Sequence, residues 1–228
     1  MSVRYDAKTL AIAAGALVLA VVILSWGYGA YKTQDLRSTV TTNLSDAGGR
    51  LRETLSVETG PAAEERLQLA KKLEGHAAAV DQHIERLKQL QAERDRTLAD
   101  DADSYLVTVR EIIRRRGAIN RLYVQHTESL GALRQHMRAD NRTGAWVQQA
   151  VRLKEKAEKD FRDYTLTVSA YDTLLAGLPA SQKKIAVNAG ASALAEDALI
   201  AKARERELET AKRAEAEMEK VRKMAAPK

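Results

Sequence analysis

Residues 105–137 read YLVTVREIIRRRGAINRLYVQHTESLGALRQHM, and within them Tyr105, Val109, Ile112, Arg116, Ile119, Tyr123, His126, Leu130, Leu133 and Met137 recur in alternating steps of four and three. That spacing keeps one face of an α-helix turned toward a partner, the heptad pattern of knobs-into-holes packing. The partner follows at once. After Asp140, Asn141 and Gly144, a second seam runs Trp146, Ala150, Leu153, Ala157, Asp160, Tyr164, Val168, Tyr171, Leu175 and Leu178. Folding the two antiparallel about Asn141 sets Leu130 on Leu153, Val109 on Leu175 and Tyr123 on Asp160, with large opposite small at Leu133/Ala150 and His126/Ala157. Gly177 and Pro179 are the stop signals of the second helix.

Upstream, Leu36, Val40, Leu44, Ala47, Leu51 and Leu55 form a first apolar stripe, with Gly48-Gly49 as a candidate kink. Gly60-Pro61 breaks the helix. A second stripe runs Leu67, Ala70, Leu73, Ala77, Val80, Ile84 and Leu87, and an antiparallel register puts Leu44 on Ala77 and Ala47 on Leu73. That register brings QAERDRTLADDADS, residues 91–104, level with the end of the apolar N-terminal segment, where so many charges cannot enter hydrocarbon. The chain is therefore expected to bend or turn between Arg94 and Ser104, with Asp103 or Ser104 capping the next helix.

The expected fold is all-α: four helices at about 32–58, 61–98, 103–139 and 143–177 form an antiparallel up-down-up-down bundle over residues 32–179. Residues 180–228 add a long C-terminal helix, almost wholly charged after Ala203, expected to be exposed and to seek a partner. Composition agrees: aromatics are 4% of the chain, charged residues 30%, and there are 3 Pro, which suits long helices and coiled coil better than a thick globular core.

Residues 1–8 are a short tail. Between Lys8 and Lys32 lie 23 uncharged residues, 9–31, built on LAIAAGALVLAVVILSW; at ~1.5 Å per residue these span a bilayer. Trp26, Tyr28 and Tyr31 at one end and Tyr5 at the other suit the headgroup region. The apolar stretch is longer than the core of a cleaved signal peptide, and Tyr28 lies where cleavage after Ala30 would want a small residue, so a retained signal-anchor is expected. Arg4, Lys8 and the terminal amine place the N-terminus inside, giving a single-pass inner-membrane protein with a periplasmic C-terminal domain in a diderm cell; the cytoplasmic orientation is the alternative. Ala11 and Gly15 give the small-xxx-small spacing that lets two anchors touch in a homodimer.

The chain carries no phosphate-binding glycine loop, nucleophile elbow, HExxH or EF-hand loop, so no catalytic residue, cofactor or metal is expected and the reading is not an enzyme. With no Cys, thiolate chemistry is excluded. His76, His83, His126 and His136 are too scattered for a local ligand pair. Arg110, Arg114, Arg115, Arg116 and Arg121 lack interleaved aromatics and sit near acids, which reads as a solvated face and not as a nucleic-acid surface. Arg116, Tyr123, His126 and Asp160 are different, because all four fall on seam positions: either a register-fixing polar layer or a small ligand site in the core. In outline, an anchor followed by a bundle resembles bacterial chemoreceptor sensory domains, although the second span and signalling output of those proteins are not found here. The functional expectation is a membrane-anchored scaffold or assembly subunit that binds protein partners through bundle faces and the charged C-terminal helix, in contact with lipid through residues 9–31. The alternative is a ligand-binding sensory module acting through another membrane protein.

Overall fold

The computed structural model describes residue 34 and residues 37–89, 96–139, 143–189 and 193–225. Five helices account for nearly all of them: α1 (37–56), α2 (Ala63–Gln89), α3 (Arg96–Arg138), α4 (Gly144–Ala189) and α5 (Asp197–Ala225). No strand occurs among the described residues. The anchor at 9–31, Leu36 and the turn residues Asp140 and Asn141 lie outside this set, and within it no helix is long and apolar enough to cross a membrane.

The α3–α4 hairpin is the spine, each arm roughly 65–70 Å long at the helical rise. Its seam is as the heptads require: Tyr105, Val109, Ile112, Ile119, Leu130 and Leu133 on α3 and Ala157, Tyr164, Val168, Tyr171, Leu175 and Leu178 on α4 are all buried. A second buried stripe on α3, Leu106, Ile113, Asn120 and Val124, lies on the side of Gly117, which packs 3.6 Å from the Ala70 carbonyl and from Leu73 Cβ. Because α3 is sandwiched between α2 and α4, it buries two faces where a single seam had been read.

α1 and α5 divide the remaining length between them. Roughly 30 Å of α1 and 44 Å of α5 together match the spine. They meet where Arg206 Nη2 donates to the Leu55 carbonyl at 3.2 Å and Lys202 pairs with Glu58 at 3.1 Å. α5 then runs antiparallel to α4, with Arg204 on Asp172 at 2.7 Å and Arg222 by Glu158 at 3.6 Å, and contacts α3 through Arg134–Glu217.

Several expectations are corrected. α2 ends at Gln89 and α3 runs from Arg96, so residues 98–103 are helix and not a break, and Asp103 and Ser104 are helix interior, not caps. α4 does not stop at residue 177: it continues through Pro179 to Ala189 because Leu178, Gln182 and Ile185 prolong its buried seam, and tertiary burial outweighs the lost backbone hydrogen bond. Gly48-Gly49, the candidate kink, lies within the continuous helix α1. Gly48 is instead the point where the turn before α5 crosses α1, close enough that a Cβ would lie 2.3 Å from the Ala193 carbonyl oxygen. That turn is pinned by Tyr105 Oη donating to Ala193 O at 2.8 Å, Arg52 Nη1 to Leu194 O at 3.0 Å and a two-way bond between Gln182 and the Ala195 backbone.

The α1–α2 register also differs. Asp46 meets His83 at 2.7 Å, and Glu53 lies 2.5 Å from Lys72 and 3.6 Å from His76, some four to nine residues further along α2 than the expected pairing; side chains leaning toward their own N-termini account for only part of this. The rest is slippage, because the first turns of α2 face α3: Arg66 and Leu69 turn inward and Leu67 is 46% exposed.

Candidate functional site: a polar layer in the bundle core

Arg116 has no exposed surface, which makes it the most improbable residue of the core. The α3 heptad aims it inward at the level where α1 ends and α5 takes over, and it binds three elements together. One Nη2 proton goes to the Val57 carbonyl just beyond α1, and Nε lies 3.7 Å from Glu207 Oε1 of α5. Its own carbonyl accepts from Asn120 Nδ2 at 2.9 Å. Glu207, 3% exposed, also has Arg206 Nε at 3.5 Å. Burial pushes the Arg116 guanidinium below its ordinary value; Tyr171 and Glu207 pull the other way, and Arg206 and Arg66 reinforce the fall.

Arg66 of α2 closes the layer from the other side. Its Nε donates to Gly60 O at 3.0 Å, its Nη1 to Asn120 Oδ1 at 3.2 Å, and its guanidinium lies 3.8 Å from the centre of the Tyr123 ring, a cation–π contact. Tyr123 in turn meets Tyr164 edge-on at 5.7 Å. The expected Tyr123/Asp160 pair is not made: across an antiparallel hairpin both side chains lean toward their own N-termini, so the partner is one turn further along α4. Asp160, 2% exposed, accepts instead from Gln125 Nε2 at 2.8 Å and Lys156 Nζ at 2.9 Å.

His126 sits between these groups, 5.2 Å from the Phe161 ring and stacked at 6.3 Å on Tyr164, without a well-formed hydrogen bond at either ring nitrogen. Burial lowers its pKa, against the opposing charge of Asp160. Thus the four residues nominated from sequence are all in the core region of the hairpin, but only Arg116 has a buried ionic partner from another helix. Glu207, Arg206, Arg66, Asn120, Tyr164 and Tyr171 complete the layer. In the sequence Tyr164 and Tyr171 are seam positions with no further mark, and Glu207 is masked by the charges around it. Its signal was present: Ile200, Ala203, Glu207, Ala214, Met218 and Val221 keep a helical stripe, all buried.

The remaining arginines of the α3 cluster are answered by acids. Arg110 and Arg114 share Asp81 at 3.0 and 2.6 Å, Arg115 pairs with Glu111 at 2.7 Å and Arg121 with Glu74. Arg114, Arg115 and Arg121 line a surface hollow of about 350 Å³ together with the acids Glu74 and Glu111. The other histidines are dispersed, His136 stacking on Trp146 at 4.8 Å while its Nε2 lies 2.9 Å from the Trp146 carbonyl oxygen. Among the described residues no three His, Asp or Glu are grouped to hold a metal.

These features define an all-α antiparallel bundle cross-linked by one buried polar layer. No known protein family, curated protein or solved structure matches the chain.

Proposed function

We propose that this chain is a membrane-anchored helical scaffold or assembly subunit, held in an inner membrane by residues 9–31 and presenting its helical domain on the periplasmic side to protein partners. The observation that carries this reading is the outer surface of α4. Val147, Val151 and Leu166 are 48%, 49% and 63% exposed and fall within an arc of about 100° of the helix, interleaved with exposed Glu155 and Arg162. Exposed aliphatics among charges on a rigid arm suit a helix or bundle partner better than open solvent. The charged outer face of α5 supplies a polar rim beside it; packed against the bundle, α5 is an arm of the scaffold and not a free tail.

The test is made on membranes from cells producing the full chain. The protein is expected to stay in the pellet after an alkaline wash, and after detergent extraction it should retain partners that a V151E/L166E variant of equal thermal stability does not. Release by the wash would remove the anchor from the reading, and an unchanged set of co-purifying proteins would remove the α4 surface. The second reading, a ligand-binding sensory module acting through another membrane protein, draws its support from buried donors in the polar layer that lack acceptors.

A further inference from the structure

Five donor atoms of the layer have no hydrogen-bond partner: Nε and Nη1 of Arg116, Nε of Arg206, and the hydroxyls of Tyr164 and Tyr171, the two tyrosines standing two turns apart on α4. Arg116, Tyr164 and Tyr171 have no exposed surface. The Glu207 Oε1 stands 3.7 Å from Arg116 Nε and 3.5 Å from Arg206 Nε, both longer than the roughly 2.7–2.9 Å of a charge-assisted hydrogen bond. Burial holds both tyrosine hydroxyls in the protonated form, so each can donate.

Charge is unbalanced as well. Arg116 and Arg206 stand against the single carboxylate of Glu207, and Arg66, one turn away on Asn120, adds a further positive charge to the layer. Arg206 reaches solvent, but Arg66 and Arg116 are both buried against the one carboxylate of Glu207, and water would satisfy the donors while leaving that excess charge uncompensated. A guest that answers both needs accepts hydrogen bonds, carries one negative charge and is small enough to lie between packed side chains.

We propose that the layer is a binding site for a small monoanion, a carboxylate of formate size or a halide, held by Arg116, Arg206 and Tyr171 beside Glu207. The site joins α3, α4 and α5 beside the carbonyl ends of α1, so occupancy tightens the junction on which the bundle depends. It stands whether or not the scaffold reading does.

The full chain in detergent, dialysed into sodium gluconate whose anion is too bulky for the core, is unfolded thermally while gluconate is replaced by formate or by chloride at constant ionic strength. A saturable rise in Tm of about 3–6 °C is expected with at least one of them, formate alone marking a carboxylate site and both marking a general monoanion site. Y171F, which keeps the ring and removes one donor, should raise the half-saturating concentration about tenfold, and E207Q, which removes the repelling charge, should lower it by a similar factor. Equal Tm in all three salts, or a response that neither saturates nor changes in Y171F and E207Q, assigns the free donors to water and overturns the proposal.

Discussion

At His126 the structure attaches a pH dependence to a single ring. The imidazole fills a slot between Phe161 and Tyr164 without a well-formed hydrogen bond at either nitrogen, so adding a proton creates a buried cation; the Ala157 backbone and Asp160, itself engaged by Gln125 and Lys156, offset the cost of burial only in part. His76 at the α1–α2 contact shifts in the same direction: burial leads, Arg50 and Lys72 add to it, and Glu53 opposes. Both groups have a folded-state pKa below the unfolded value of 6.5, so their contribution to stability is fully present above that pH and is lost as pH falls toward the folded values. The urea midpoint is therefore expected to decline between pH 7 and pH 5. H126F keeps an aromatic ring in the slot and should flatten that decline. A slope as steep as that of the parent would show that His126 titrates without consequence.

Among the elements, α5 departs furthest from its sequence reading. The charges of ARERELETAKRAEAEMEKVRK, residues 203–223, dominate the eye, yet Ala203, Glu207, Ala214, Met218 and Val221 lie on one buried stripe, and Met218 and Val221 join Leu130, Leu133 and Ala157 in a distal core. Alanine is small enough for α5 to approach the hairpin closely, which is why a stripe so poor in bulk still buries. M218A should cost about 2–5 kcal/mol of unfolding free energy, the range of other large-to-small core changes. E215A, on the exposed face, should remain within about 0.5 kcal/mol of the parent. Similar values for the two in chemical denaturation would mean that α5 is the loose appendage its charge suggests. Pro179 teaches the complementary lesson: the local stop signal was sound, but Leu178, Gln182 and Ile185 supply a buried seam that carries the helix past it.

Across the whole molecule, Arg116 and Glu207 tie the junction of α1 and α5 to the spine. E207L leaves the Arg116 charge buried without its carboxylate and is expected to cost about 3–5 kcal/mol. The double substitution R116M/E207L removes both charges and should be more stable than E207L alone, since apolar groups of similar volume then meet across the layer. If equilibrium unfolding instead gives a double variant whose loss is the sum of the two single losses, the two side chains are uncoupled and the layer is not a unit.

By itself the sequence determined the all-α class, the antiparallel α3–α4 hairpin to within about a turn of its register, and the inward direction of Arg116 and His126. Heptad spacing fixes which face of a helix is buried, and two matched seams joined by a short turn have one antiparallel register that buries both. Only the tertiary structure decided what lies against each face. Periodicity within one helix carries no information about its neighbours, so the second buried face of α3, the slipped α1–α2 register and the return of α5 along the spine were not visible. Glu207 faces Arg116 because α5 lies in the groove that α1 leaves open, a juxtaposition of residues 91 positions apart in the chain that only packing creates.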